Sequence, residues 1–336
     1  MEKVSVIGLG SWGTTLAELL AANGHDVLAW ARSEATCAEV NEQHSQSRYL
    51  PGFSLSPNLR ATPDLSRACA HSRWILLVVP SHVLRETARA MGDHLCGEHL
   101  IVHATKGIEQ GTFRRMSEIL REETCVRRIG VLSGPNLAKE IMRRQPAGTL
   151  VASHYREVLE RSVALLHSPA FRVYTGDDVV GAEVGGAFKN IVAVAAGVVD
   201  GLGLGDNTRA LLLTRGLAEM AKVGAAMGAR VVTFGGLAGI GDLMATCASP
   251  LSRNHQVGER LAKGQRLEQI QAELGMVAEG VKTTRSTWEF ARRHGLDLPI
   301  VRAVHGVLYE DIPVRRALDD LMALPPSHEL VELAWQ

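Results

Sequence analysis

The hexapeptide Gly8-Leu9-Gly10-Ser11-Trp12-Gly13 directly follows the apolar run Val4–Ile7 and opens a helix-periodic segment at 12–23. No other feature limits the fold so strongly. In a G-x-G-x-x-G placed between strand and helix, the first glycine permits the tight turn. The second lets backbone approach a pyrophosphate, and the third lets the helix pack on the strand. The free N–H groups of the helix start then face negative charge. Further apolar runs at Asp26–Trp30, Trp74–Val79, Leu100–His103, Ile129–Leu132 and Thr149–Ala152 alternate with helical candidates at 34–44, 83–91, 112–122, 136–144 and 155–167. Such alternation is the pattern of β-α-β units and a mostly parallel sheet.

From Val180 onward the pattern changes to long helical segments at 180–200, 208–227, 239–247, 252–263, 267–274, 280–293, 298–308 and 314–322, with no convincing strand. The expected architecture is an α/β, Rossmann-type doubly wound sheet over 1–180 and an all-α domain over 181–336. With no long linker between them the two are expected to pack together, and ligand sites favour clefts of that kind.

Composition narrows the partners. The chain has 36 Lys+Arg against 36 Asp+Glu, so the basic excess that nucleic-acid binding calls for is missing. Uncharged stretches such as Ile191 to Val199 are shorter than the ~20 residues of a spanning helix, and no membrane insertion is expected. Five scattered cysteines without a C-x-x-C pair suit a reducing, cytoplasmic setting, and Met1 to Gly8 runs into a strand pattern instead of a leader. No metal site is expected, since His99 and His103 fall in a strand run and would not share a helix face.

The residues after the second strand bear on the nucleotide. An NAD-selective fold usually places an acidic residue there for the ribose 2′-hydroxyl. Here Ala31-Arg32-Ser33 follows the strand. A guanidinium beside a hydroxyl suits a 2′-phosphate, so NADPH is expected to be accepted and preferred over NADH. The alternative is that Arg32 stacks on the adenine face and leaves both nucleotides usable.

The 36 basic residues comprise 29 Arg and only 7 Lys, which draws attention to lysines in apolar sequence. Lys106 follows the run Leu100–Ala104, at the carboxyl end where open α/β sheets hold ligands. Lys189 lies in Gly185-Gly186-Ala187-Phe188-Lys189-Asn190-Ile191, with Gly185, Gly186 and Ala193 as its helical neighbours. Two glycines cost a helix about 2 kcal/mol relative to alanine, and room for a ligand would account for them. Close helix packing with Lys189 reaching toward the surface accounts for them equally well. A lysine held in a low-dielectric cleft has its pKa pulled down, which suits proton exchange with a carbinol or ketone.

Three polar clusters interrupt the helical half. Gly203–Arg209 precedes a long helix, with Asp206 or Asn207 as its cap. Asp242 and Thr246 are four apart on one helical face, where they could meet a substrate atom or orient a lysine. Alternatively, Asp242 is only a helix-start charge favoured by the dipole. Ser252-Arg253-Asn254-His255 at a helix start offers N–H groups, a guanidinium and an amide to a phosphate, although such trios are common on ordinary surfaces.

Taken in order, Gly8–Gly13, Thr105-Lys106-Gly107, Ser133-Gly134-Pro135, Gly186-Ala187-Phe188-Lys189-Asn190, Asp242-Leu243, Ser252-Arg253-Asn254 and Val277-Ala278-Glu279-Gly280 resemble the bacterial NAD(P)-dependent glycerol-3-phosphate dehydrogenases over nearly the whole chain. The resemblance implies interconversion of dihydroxyacetone phosphate, a phosphorylated triose, and sn-glycerol 3-phosphate, feeding phospholipid synthesis. It implies Lys189 as proton donor and acceptor, Lys106 on both substrate and nicotinamide, and Asp242 ordering the reacting centre. Arg253 and Asn254 would take the substrate phosphate, with Ser252, Gly134, Asn136 and Thr246 lining the pocket, Asn136 standing where bacterial members commonly carry serine. Gly8, Gly10, Ser11, Trp12, Gly13, Arg32, Tyr49, Lys106, Ala138, Arg253, Val277 and Glu279 match cofactor positions. A homodimer stays open. Two rivals stand beside this reading: another lysine-using dehydrogenase of hydroxy acids, and an NADPH-binding regulator that does not turn over.

Overall fold

The computed structural model describes residues 1–250, 252–274 and 278–326. It divides into two compact units, the first made of residues 1–105 and 116–179, the second of 106–115 and 180 onward.

The first unit runs β1 (Lys3–Ile7), α1 (Ser11–Ala22), β2 (Asp26–Trp30), α2 (Glu34–Ala38), β3 (Leu59–Thr62), α3 (Leu65–His71), β4 (Trp74–Leu77), α4 (Ser81–Gly92), β5 (Leu100–His103), α5 (Met116–Glu123), β6 (Arg128–Ser133), α6 (Ala138–Met142), β7 (Ala147–Ser153), α7 (Arg156–Leu166) and β8 (Phe171–Gly176). Its strands form one sheet in the order β3-β2-β1-β4-β5-β6-β7-β8, parallel except between β6 and β7. The order reverses beside β1, between β2 and β4, and open α/β sheets bind ligands at the carboxyl ends of strands at such a point.

The central strands are apolar on both faces because helices cover both. Val4, Val6, Trp74, Leu76, Leu100 and Val102 join one core cluster. Ile7, Ile75, Leu77 and Ile101 join the other. Continuous apolar runs of this kind are the signature of a doubly covered parallel sheet. β3 and β8 were not expected from the sequence, and their position explains why. Both are edge strands, and β8, Phe-Arg-Val-Tyr-Thr-Gly, buries only Phe171 fully. β8 has little to bury and so needs no apolar run, whereas β3 is buried at Leu59, Ala61 and Thr62 but is too short, and broken by Arg60, to form one.

Several expected helices are shorter than their periodicity. The segment at 34–44 is α-helical only to Ala38, continues as a π-helical turn over Glu39–Gln43 and ends at His44 with φ 48°. The segment at 136–144 is helical only over Ala138–Met142. The segment at 112–122 begins its helix at Met116, because residues 106–115 form a closed loop that belongs to the second unit. That loop changes the expected simple boundary at 180.

The second unit contains α8 (Val179–Gly201), α9 (Asp206–Ala226), α10 (Asp242–Ala248), α11 (Arg253–Ala262), α12 (Leu267–Leu274), α13 (Glu279–His294), α14 (Pro299–Tyr309) and α15 (Val314–Met322). α8 has the length and composition of a membrane span, but 89% of its apolar window is buried, and Phe188, Ile191, Val192 and Val194 lie in the helical core. It crosses α11 backbone to backbone. A Cβ on Gly197 would lie 1.9 Å from the His255 carbonyl oxygen, and one on Gly258 would lie 1.9 Å from that of Val194. α14 lacks a local cap, and the buried Glu219 of α9 supplies one, accepting the Ile300 and Val301 N–H groups at 2.6 and 3.1 Å.

Candidate active site

In the first unit the glycine loop has the shape of a phosphate cradle. Gly8 sits at φ 113°, and a Cβ there would fall 2.3 Å from the Val78 carbonyl oxygen. One on Gly13 would fall 1.9 Å from the Gly8 oxygen, so α1 is pressed onto the turn. Above Gly10 nothing lies within 4 Å. α1 has no side-chain cap, and its first backbone bond is Thr14 N–H to Gly10 oxygen at 2.9 Å. The N–H groups of Ser11, Trp12 and Gly13 therefore precede the helical ladder, and a helix start with free N–H groups and an open glycine fits a pyrophosphate.

Gln46, 1% exposed, steadies the loop from outside it by donating through Nε2 to the Leu9 oxygen at 3.2 Å. Its sequence surroundings carried no sign of this. Arg32 is exposed just past the end of β2, beside Ser33, whose hydroxyl caps α2 by accepting from Thr36 N–H at 3.2 Å. Tyr49 is half-buried with the Arg48 guanidinium 5.3 Å over its ring, Trp12 is half-buried with its Nε1 enclosed and unpartnered, and Ala138 begins α6.

Gly134 and Asn136 also lie in this unit. Gly134 has φ 141°, and a Cβ there would press on the backbone of β7, 3.3 Å from Thr149 Cα. The Asn136 side chain, expected as a substrate contact, is engaged at that same strand. Nδ2 donates to the Gly148 oxygen at 3.1 Å, and Oδ1 accepts from Thr149 Oγ1 at 2.9 Å. Its observed work is to brace the turn after β6.

The second unit brings Lys106, Lys189, Asp242 and Thr246 together. Lys106 Nζ donates to Asp242 Oδ2 at 2.6 Å, Lys189 Nζ donates to Asp242 Oδ1, and Lys189 Nζ also donates to Thr246 Oγ1 at 2.7 Å. The Thr246 hydroxyl lies 3.3 Å from Asp242 Oδ1. Lys189 and Asp242 are buried, while the Lys106 side chain keeps 20% exposure. Asp242 is the counter-ion of two ammoniums, and it does not stand at a free helix start, because a π-helical turn over Leu237–Gly241 runs directly into α10.

For Lys189 the outcome is mixed. Gly185 leaves no room for a ligand, since a Cβ there would lie 2.2 Å from the Ala238 carbonyl oxygen. Its glycine is a packing requirement. Lys189 nevertheless does not reach the surface but turns inward to Asp242. Burial lowers its pKa to about 7, with Asp242 opposing and the Lys106 charge adding to the effect. A lysine that titrates near neutrality can both give and take a proton.

Ser252, Arg253 and Asn254, the residues expected to meet a phosphate, stand at the start of α11. Ser252 caps α11 by accepting from His255 N–H at 3.4 Å, Arg253 is exposed at the first helical position, and Asn254 is buried. Asn254 is largely engaged in structure. Its Nδ2 donates to Asn190 Oδ1 at 2.9 Å and its Oδ1 accepts from Gly280 N–H at 2.9 Å, tying α8, α11 and α13 together. Glu279 is the first residue of α13, and Val277 lies outside the described residues.

The chain can now be set against known proteins. Residues 3–159 match the family model described as NAD-dependent glycerol-3-phosphate dehydrogenase N-terminus, and residues 178–319 match its C-terminus counterpart. A protein of Moorella thermoacetica named glycerol-3-phosphate dehydrogenase [NAD(P)+] is 45% identical over 334 residues, covering 99% of both chains. One of the same name from Lysinibacillus sphaericus is 41% identical over 336 residues, again covering 99% of each. Among solved structures, glycerol-3-phosphate dehydrogenase of Coxiella burnetii superimposes with a TM-score of 0.92 at 35% identity, covering 96% of this chain and 99% of that one. A glycine cradle in one unit, a buried two-lysine cluster in the other, and matches that span both place the chain in the NAD-dependent glycerol-3-phosphate dehydrogenase family.

Proposed function

We propose that this protein reduces dihydroxyacetone phosphate to sn-glycerol 3-phosphate, using NADPH in preference to NADH, as a cytoplasmic step that supplies glycerophospholipid synthesis. The observation that carries the reading is the buried Lys106–Asp242–Lys189 cluster within a chain of this family. The glycine loop with Ser11, Trp12, Arg32, Tyr49, Ala138, Arg253, Val277 and Glu279 would hold the nucleotide, which when bound supplies the hydride.

The protein's own work concerns charge and protons. As the carbonyl carbon is reduced, its oxygen becomes an alkoxide. Lys189 Nζ delivers a proton to that oxygen, and the Lys106 ammonium adds positive charge where negative charge develops. Asp242 holds both ammoniums, and Thr246 fixes the direction of the Lys189 amine. The substrate phosphate is met by the start of α11, where the N–H groups, Arg253 and the second N–H of Asn254 Nδ2 provide donors. Gly134 and Asn136, which shape the turn after β6 in the first unit, are also assigned to the substrate. The five unpaired cysteines support the reducing, cytoplasmic setting.

The direct test follows loss of nicotinamide absorbance with dihydroxyacetone phosphate, once with NADPH and once with NADH. Turnover with both and a preference for NADPH is expected, and Arg32→Ala should abolish the preference by weakening NADPH alone. No turnover with either nucleotide would defeat the reading. An NADPH affinity equal to the parent's in Arg32→Ala would defeat the assigned 2′-phosphate contact.

The same chemistry sets a pH dependence. Reduction needs the Lys189 ammonium, so kcat/KM for dihydroxyacetone phosphate falls as pH rises through about 7. Oxidation of glycerol 3-phosphate needs the free amine and rises through the same range. Rate profiles in the two directions, bending in opposite senses near neutrality, are the expected outcome.

A further inference from the structure

The second unit holds a buried ion pair that the mechanism above does not use. The Arg115 guanidinium donates to Glu183 Oε2 at 2.6 Å, with side-chain exposures of 13% and 2%. We propose that this pair is a positioning device for Lys106, fixing the loop that carries it to the helix that carries Lys189. The inference rests on the catalytic reading above.

Glu183 stands six residues before Lys189 on α8. Arg115 ends the segment that Lys106 begins, and that segment is closed on itself. Ile108 and Arg115 form an antiparallel bridge, Glu109 N–H donates to the Arg114 oxygen at 3.0 Å, and Phe113 N–H donates to the Glu109 oxygen at 3.0 Å. Phe113 packs edge-on against Phe290 with ring centres 5.7 Å apart, beneath the Arg293 guanidinium at 4.7 Å. Only Gly107 separates Lys106 from the bridge, so a shift of the bridge moves the lysine. With Arg115 held at Glu183, both lysines are referenced to one rigid helix. A desolvated pair is a poor source of stability compared with apolar packing, but pulling two buried opposite charges apart is costly, so it resists displacement. That property suits fixing geometry.

Arg115→Gln is therefore expected to let Lys106 drift from Asp242. A displacement of ~1 Å in a catalytic group costs on the order of 10²-fold in rate, and kcat/KM for dihydroxyacetone phosphate should fall by about that factor with NADPH affinity unchanged. The pH profile provides a readout that lost stability alone would not move. The groups around the Lys189 amine are Lys106, Asp242, Thr246 and the Cys247 thiol, and of these only the Lys106 charge is withdrawn. The descending limb of the reduction profile should move to higher pH. Glu183→Gln should behave likewise, and Arg115→Lys should restore most of the rate and the profile.

A second readout needs no turnover. Trace acetylation by acetic anhydride, mapped by mass spectrometry, should rise several-fold at Lys106 in Arg115→Gln, with Lys3 as internal reference. If the parent fails to reduce dihydroxyacetone phosphate, the functional reading falls, yet the labelling still decides the positioning claim. If Arg115→Gln does not fold, the labelling and profile of Glu183→Asp, which keeps the charge but shortens its reach to Arg115, decide it in the same way. Parent-like labelling at Lys106 together with an unmoved pH limb would overturn the proposal.

Discussion

Lys189→Ala lowers the rate of dihydroxyacetone phosphate reduction by about 10²–10⁴-fold, the span attributable to a positioned general acid. NADPH binding stays at the parent level, because Lys189 is not among the residues assigned to the nucleotide. Lys106 does not substitute for it. Lys106 is held on the opposite oxygen of Asp242, away from the Thr246 hydroxyl that receives the Lys189 amine. Removal of Lys189 leaves the Lys106–Asp242 pair intact, so the buried carboxylate keeps a counter-ion and the fold survives. Stopped-flow or steady-state reduction rates beside a fluorescence titration with NADPH check both halves. Parent-like turnover in this variant would remove Lys189 from the mechanism, and lost NADPH binding would mean the variant reports on folding.

The second large effect belongs to Asp242→Asn. Asparagine keeps the shape of the side chain but removes the charge that serves two ammoniums, Lys106 at 2.6 Å and the buried Lys189. Removing one partner from a buried ion pair typically costs about 3–5 kcal/mol, so the melting temperature falls. Part of that cost is avoided if Lys189 releases its proton. Asp242 raises the Lys189 pKa while burial and Lys106 lower it; without Asp242 only the lowering influences remain. The variant is therefore most active in reduction well below neutral pH and nearly inactive at pH 7, where its Lys189 is a neutral amine. Melting curves and reduction profiles measured side by side test this. A variant that loses stability yet keeps the parent's pH profile would show that Asp242 holds the fold and does not set the protonation of Lys189.

The glycine loop and the central strands were legible because their requirements are local. Gly8 takes a φ of 113° and Gly13 closes on the Gly8 backbone, both within one short loop, and β1, β4 and β5 are apolar because both faces are covered. Lys106 and Lys189 were legible for a related reason: a charge surrounded by apolar sequence calls for explanation before any contact is known. Edge strands β3 and β8 left no such mark: β8 is mostly exposed, and β3 is four residues long with Arg60 and Thr62 breaking its apolar run. Gln46 left none either, because its partner is a carbonyl 37 positions away that any residue could supply.

Gly185 shows where local reasoning misleads. In sequence it reads as space beside Lys189; in three dimensions the Ala238 backbone fills that space. Asn136 and Asn254 show the same in reverse, amides suited to a ligand that are engaged with Thr149, Gly148, Asn190 and Gly280. Hydrogen-bond capacity belongs to the residue type, but the partner belongs to the fold.

The sequence by itself determined the dinucleotide loop, the doubly covered sheet, the change to helices after residue 180 and the identity of the two unusual lysines, because each follows from spacing and polarity within a few turns of chain. Only the tertiary structure decided that residues 106–115 join the helical unit, that Asp242 serves both lysines at once, and that Arg115 meets Glu183. These contacts span from about 50 to more than 130 positions, and charges that far apart in sequence are paired by the packing of helices, which no local pattern encodes.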